Sequence, residues 1–152
     1  MIRTLIYWDS ATFLAYFKEE EGRSDLCRNT LERAERGQVG IITSALTIAE
    51  CLWLRGEPLP IPKNRSEIVR RFFRRSFIRV RNVTRQTAEL AQDVVWDYGI
   101  RPKDAIHVAT AIENKVGIVE TFDEPFIDKS GLIGTFPLVI RRPLPVDQMK
   151  LL

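Results

Sequence analysis

Apolar positions in this chain switch repeatedly between short runs and helical stripes. Leu5 to Trp8 is a short apolar run closed by Asp9-Ser10, which predicts a first, central strand with Ser10 capping a helix that carries Phe13, Leu14 and Phe17. Leu26, Cys27, Thr30, Leu31 and Ala34 recur at helical spacing up to Gly37, and Val39 to Thr43 reads as a second strand. Ser44 or Thr47 then starts a helix carrying Ile48, Glu50, Cys51, Leu52 and Trp53. Prolines break the stretch from Gly56 to Pro62 into a loop. From Ser66, Ile68, Val69, Phe72 and Phe73 define one helical face, and Arg70, Arg71, Arg74 and Arg75 another. Phe77 to Val83 alternates like a half-buried strand. Thr84 to Tyr98 is amphipathic, with Ala88, Ala91, Val94, Val95 and Tyr98 on one stripe and Gly99 at its end.

The next stretch organises the rest. Pro102 stands where a helix can spare its first N–H, and Asp104 to Ile112 is apolar almost all round, which predicts a buried helix. After Gly117 a β-branched run reads as a central parallel strand that delivers Asp123 just past its end. Phe136 to Ile140 predicts a final strand, and Pro143 and Pro145 lead into a loose tail. Strands separated by helices imply a parallel sheet with helices on both faces. The expected organisation is one domain over residues 1–142 and a tail over 143–152, without repeats or low-complexity tracts.

Composition narrows the class. A chain of 152 residues with 45% hydrophobic and 28% charged residues has the makeup of a soluble globular domain able to bury a core. Cys27 and Cys51 are too few and too isolated for a disulfide framework or a metal knot, and read as small buried hydrophobes of a reducing compartment. No signal peptide or membrane span is present in the pattern, so a cytoplasmic location without membrane attachment is expected. The net charge of +3 points to an acidic partner, with nucleic acid first.

Candidate chemistry lies in four acids. Sites in open α/β sheets form outside the carboxyl ends of the strands. Asp9 ends the first strand, Glu50 lies on the helix after the second, Asp104 begins the buried helix and Asp123 follows a later strand. Each has a purely structural reading. Asp9 can cap a helix, Thr47-x-x-Glu50 can form a capping box, Asp104 suits a helix dipole, and Asp123 can make a turn. Together at one sheet edge they would repel strongly and call for a cation, and oxygen-only ligands favour Mg²⁺ or Mn²⁺ over zinc. His107, the only histidine, reads as a helix residue hydrogen-bonded near the core in preference to a catalytic base. The face of Arg70, Arg71, Arg74 and Arg75 suits phosphates, or equally a solvated surface or an acidic partner.

Four motifs in order resemble those of the PIN-domain ribonucleases, in particular the VapC-type toxins of toxin–antitoxin pairs. They are Leu5-Ile6-Tyr7-Trp8-Asp9-Ser10, then Thr43 to Leu52 with Glu50, then Asp104-Ala105-Ile106-His107-Val108-Ala109-Thr110-Ala111, and Thr121-Phe122-Asp123. Glu120 departs from the family, which often has an apolar residue there, and the loop from Gly56 to Asn64 is longer and richer in proline. The resemblance implies a three-layer α/β/α fold around a mostly parallel sheet, and a Mg²⁺- or Mn²⁺-dependent endoribonuclease. Asp9, Asp104 and Asp123 would be the direct ligands, with Glu50 joining the catalytic set and Ser10 and Thr121 lying beside the substrate. It further implies a cognate antitoxin and a homodimer. The alternative is a PIN-fold RNA-binding or scaffolding subunit with little nuclease activity. A phosphoacceptor receiver domain does not fit, because Asp9-Ser10 is no acid pair and Phe77 to Val83 holds no Asp.

Overall fold

The computed structural model describes residues 3–134 and 137–145. Strands β1 (Thr4–Trp8), β2 (Val39–Ser44), β3 (Ile78–Arg81), β4 (Ile118–Glu120) and β5 (Val139–Arg141) form one sheet in the order β3-β2-β1-β4-β5. Every pairing is parallel, with Tyr7 opposite Ile42 on one side and Val119 on the other. Parallel strands need crossovers, and these are α1 (Ser10–Phe17), α2 (Ser24–Glu35), α3 (Ala45–Glu50), α4 (Ser66–Phe73), α5 (Arg85–Tyr98) and α6 (Pro102–Glu113), with the short α7 (Glu124–Ile127) after β4. Among the described residues none of these helices is long and apolar enough to cross a membrane.

The pleat sends alternate residues of β1 to opposite faces. Ile6 and Trp8 join Phe13, Leu31, Ile41, Phe72 and Phe73 under α1, α2 and α4, while Tyr7 joins Ile42, Val94, Val108, Ala109 and Val119 under α5 and α6. The two apolar clusters make the three-layer α/β/α architecture expected from alternating elements. Phe13 anchors the first cluster, with ring centroids 5.0 Å from Trp8 and 4.9 Å from Phe73. Thr84 and Gly99 bound α5 as read from the sequence: Thr84 accepts from the Thr87 N–H, and Gly99 takes the left-handed conformation (φ 65°) that closes the helix.

Several boundaries move. Asp9, not Ser10, caps α1. Ser44 caps α3, which ends at Glu50, so Thr47 forms no capping box, and Cys51, Leu52 and Trp53 lie beyond the helix. Thr47 is instead buried, its hydroxyl 2.8 Å from that of Thr43. Ile68 belongs to the helical stripe by spacing yet is 70% exposed, because Val69, Phe72 and Phe73 form the buried stripe of α4 and Ile68 lies at its edge, lining an open groove. The final strand starts at Val139, and Phe136 lies outside the described residues. Pro143 is buried and the Leu144 carbonyl accepts from Asn29 (3.5 Å), so the segment read as a loose tail begins packed on α2; residues 146–152 lie outside the described part.

Candidate carboxylate site

Since every strand runs the same way, their carboxyl ends share one edge, and the chain leaves that edge at Asp9, Ser44 and Thr121. Asp9 is 4% exposed. Its Oδ1 accepts from the backbone N–H (3.1 Å) and hydroxyl (3.0 Å) of Thr12, and its Oδ2 accepts from Thr121 Oγ1 (2.6 Å). Thr121 Oγ1 in turn accepts from the Asp123 N–H (3.2 Å), so one hydroxyl ties the end of β1 to the loop that presents Asp123. Asp123 precedes α7 without spending its carboxylate on a cap. The turn reading therefore accounts for its backbone, not for its side chain.

Asp104 lies in the first turn of α6, whose C-terminus leads back to the start of β4, so that its N-terminus faces the same edge. Burial pushes its carboxyl above the usual range, and the charges of Asp123 and then Asp9 push it further, while His107 and Arg101 oppose them. Asp9 is also pushed up, by burial, against the opposing effects of His107 and its threonine donors. Asp104 thus feels the charges of Asp123 and Asp9, the like-charge crowding that favours a bound cation.

Glu50 reaches this corner from the end of α3. Its Oε1 lies 3.0 Å from His107 Nε2, and His107 Nδ1 lies 2.5 Å from the Tyr7 hydroxyl. The histidine is hydrogen-bonded in the core as its sequence context suggests, yet one of its partners is a candidate site acid. Thr43 Oγ1 donates to the Trp8 carbonyl (2.7 Å) and locks the ends of β1 and β2 beneath the site.

Glu120 stands apart. Its side chain turns to the opposite face of the sheet, where Oε1 accepts from Trp8 Nε1 (2.7 Å) and Thr30 Oγ1 (2.8 Å). Burial raises its carboxyl strongly, so it sits there as a neutral acid more readily than an exposed Glu. Burial likewise raises the Cys27 and Cys51 thiols, which remain unreactive core groups.

The arginine face is not gathered at this edge. The helix α4 leads into the start of β3, and Arg75 pairs with Glu35 at the end of α2 (3.5 Å), which places both at the edge where strands begin. Arg71 and Arg74 share Glu67 (3.7 and 3.4 Å). Arg71 and Arg75, with Arg28 and Arg65, rim a groove of about 560 Å³ whose apolar lining includes Phe17, Leu54, Ile61, Ile68 and Phe72. Nor does Thr121 face outward, its hydroxyl being held by Asp9. Ser10 is the first residue of α1, immediately after Asp9.

Other cations stand beside the acids, and periodicity did not reveal them. The guanidinium groups of Arg23 and Arg142 lie 5.1 and 5.7 Å from the ring centroid of Phe122, between Thr121 and Asp123, and Arg142 also pairs with Glu124 (2.7 Å). Arg101 acts electrostatically on Asp104. Arg23 and Arg142 come from distant segments, brought to one ring by β5 pairing with β4 and by α2 starting at the same edge.

Among the described residues, no three His, Cys, Asp or Glu side chains converge closely enough to form a ready-made ligand group. The donor chemistry nevertheless fits a hard divalent ion. The candidate groups are all carboxylates, without thiolate, and burial followed by the charges of Asp123 and Asp9 raises Asp104.

Comparison with known proteins identifies the family and the fold. The family model described as PIN domain matches residues 6–132. No curated protein sequence matches the chain significantly. Solved structures share the fold at low identity. VapC20 of Mycobacterium tuberculosis, described as a sarcin-ricin loop cleaving toxin, aligns at 16% identity over 80% of this chain and 92% of its own, with a TM-score of 0.62. A toxin–antitoxin complex from Klebsiella pneumoniae aligns at 19% identity over 93% and 99%, with a TM-score of 0.60. VapBC2 from Rickettsia felis, solved on a promoter DNA fragment, aligns at 13% identity over 91% and 98%, with a TM-score of 0.63.

Proposed function

The chain belongs to the PIN-domain family, and on that premise we propose that it is a divalent-metal-dependent endoribonuclease, the toxin of a toxin–antitoxin pair. The observation that carries this reading is the gathering of Asp9, Asp104 and Asp123 at one sheet edge: Asp9 is tied through the Thr121 hydroxyl to the loop of Asp123, and Asp104 begins the helix whose N-terminus faces that edge. A structural set of helix caps and turns would have no reason to bury Asp9 and gather two further aspartates at the same edge.

Asp9, Asp104 and Asp123 would hold Mg²⁺ or Mn²⁺, which when bound stabilises negative charge on a phosphodiester. Thr12 and Thr121 fix both oxygens of Asp9, so the carboxylate is presented without loss of side-chain freedom at each turnover. Glu50, held by His107, would take a proton from the attacking water. Arg23, Arg101 and Arg142 at the same edge would hold RNA phosphates, in preference to the face of α4. Residues 1–142 would form the nuclease unit and 143–152 its tail.

Two partners complete the proposal. Structural relatives include toxin–antitoxin complexes. The groove between α1 and α4, apolar within and rimmed by four arginines, suits an acidic amphipathic segment of an antitoxin. A homodimer would use the apolar surface of α5 and α6, where Trp96 is 73% exposed beside Val95 and Ile106.

The test is cleavage of a panel of structured RNAs, including transfer RNAs and ribosomal fragments, with Mg²⁺, with Mn²⁺ and with EDTA. The wild type should cleave only with metal, and Asp9→Asn and Asp123→Asn should bind RNA without cleaving it. Equal cleavage in EDTA or in Asp123→Asn overturns the mechanism. Tight binding with no cleavage of any RNA moves the assignment to an RNA-binding or scaffolding subunit.

A further inference from the structure

We infer that Tyr7 and His107 form a buried positioning relay that orients the Glu50 carboxylate for proton transfer. This rests on the reading of Glu50 as part of a nuclease site. The geometry spans three elements. Tyr7 is fully buried on β1, His107 is 2% exposed on α6, and Glu50 ends α3, the only partly exposed member of the chain. The hydroxyl of Tyr7 lies 2.5 Å from His107 Nδ1, and His107 Nε2 lies 3.0 Å from Glu50 Oε1.

The direction of the hydrogen bonds follows from what each group can do. A carboxylate only accepts, so Nε2 must carry the hydrogen and donate to Glu50. In a neutral imidazole that leaves Nδ1 as an acceptor, and the Tyr7 O–H is its donor. A phenol keeps its proton at neutral pH, so Tyr7 can be that donor. Phenol and carboxylate therefore favour the same arrangement of the imidazole, with Nε2–H toward Glu50, and the hydrogen bond from Tyr7 fixes where that N–H points. The ring of Tyr7 also meets the imidazole edge-on at 5.6 Å, which restrains rotation of His107.

This arrangement answers a structural problem. The helix α3 is short, and Glu50 is its last residue, where side chains are held only weakly by the helix itself. A catalytic proton acceptor must stay within hydrogen-bond reach of its water. The relay supplies from the sheet and from α6 the restraint that α3 lacks. His107 need not touch RNA, so it acts through Glu50 as a positioning residue.

Two measurements on the full-length protein test this. His107 is the only histidine, so ¹⁵N spectra of the imidazole need no assignment. At a pH where the imidazole is neutral the wild type should show hydrogen on Nε2 and a hydrogen-bonded Nδ1, and Tyr7→Phe, which keeps the ring and the packing, should shift the Nδ1 resonance toward that of a free imine nitrogen. Hydrogen on Nδ1 in the wild type, or an unchanged spectrum in Tyr7→Phe, overturns the relay whatever the protein cleaves. In RNA cleavage, His107→Ala should lower kcat by about tenfold or more with KM little changed, and His107→Gln, which restores an N–H donor, should recover much of the loss. Wild-type kcat in both His107→Ala and Tyr7→Phe overturns the positioning role alone. Absence of cleavage by the wild type on any RNA overturns the nuclease reading, and with it the catalytic purpose of the relay, while the spectra still decide its existence.

Discussion

Glu120 illustrates how one side chain can be misread when its surroundings are unknown. In the motif Glu120-Thr121-Phe122-Asp123 it is the nearest acid to the site, yet it points away and serves Trp8 and Thr30. Its raised carboxyl makes a definite prediction about pH. A group whose folded pKa lies above its unfolded value stabilises the fold below the ordinary carboxylate range, and that contribution is lost as pH rises through the folded value. Urea melts of the metal-free protein should therefore show stability falling as pH rises above about 4.5. Glu120→Gln should flatten that fall, because the amide keeps an acceptor for both donors without a charge to bury. Glu120→Ala should cost about 3 kcal/mol, because it leaves the Trp8 N–H and the Thr30 hydroxyl buried without a partner. Asp104 behaves oppositely to an ordinary helix-start acid. Asp104→Asn should raise the melting temperature of the metal-free protein by removing a repelled charge, and should shrink the rise produced by Mg²⁺ or Mn²⁺. Equal metal effects in Asp104→Asn and wild type, read by scanning calorimetry, would remove Asp104 from the ion site.

Elements were the most legible scale, and where they were misplaced the reason is packing. The α5 boundaries could be read because Thr84 and Gly99 are local signals, a side-chain cap and a left-handed closing residue. Thr84→Ala should cost about 1 kcal/mol in chemical denaturation and leave cleavage unchanged, since α5 carries no acid of the site. The extent of α3 could not be read in the same way. Helical spacing continued to Trp53, but the chain turns at Cys51, whose thiol is buried against the Ser10 carbonyl, so tertiary contact ends a helix that periodicity would prolong. Ile68 shows the converse: its spacing is that of a core residue, but the groove it lines lies open.

At the scale of the whole molecule, the question is where opposite charges gather. Net charge was a poor guide, because Arg71, Arg74 and Arg75 answer to Glu67 and Glu35 on a different side from the acids. Arg23 and Arg142 instead flank Phe122 beside Asp123. In binding titrations against salt, with the cleavage-dead Asp123→Asn as background, Arg23→Ala and Arg142→Ala should each weaken RNA binding and lower the salt slope by about 1. Arg70→Ala and Arg74→Ala should change either quantity less. Loss of affinity confined to the α4 variants would return RNA to that face and displace the partner we assign to the groove.

What this chain determines by its order of residues is its alternation of strand and helix, hence a parallel sheet, and the three aspartates placed where strands end or a helix begins. Those facts are local: apolar spacing, a proline that spares its N–H, and the rule that open α/β sheets work at their carboxyl edge. The relay from Tyr7 through His107 to Glu50, the buried acid at Glu120 and the arginines beside Phe122 were decided only by tertiary structure. Their partners lie 100, 57 and 112 positions apart in the hydrogen bonds concerned, and such contacts leave no period in a sequence. They exist because β1 pairs with β2 on one side and β4 on the other, a strand order that brings distant side chains within 3 Å while their neighbours in the chain face elsewhere.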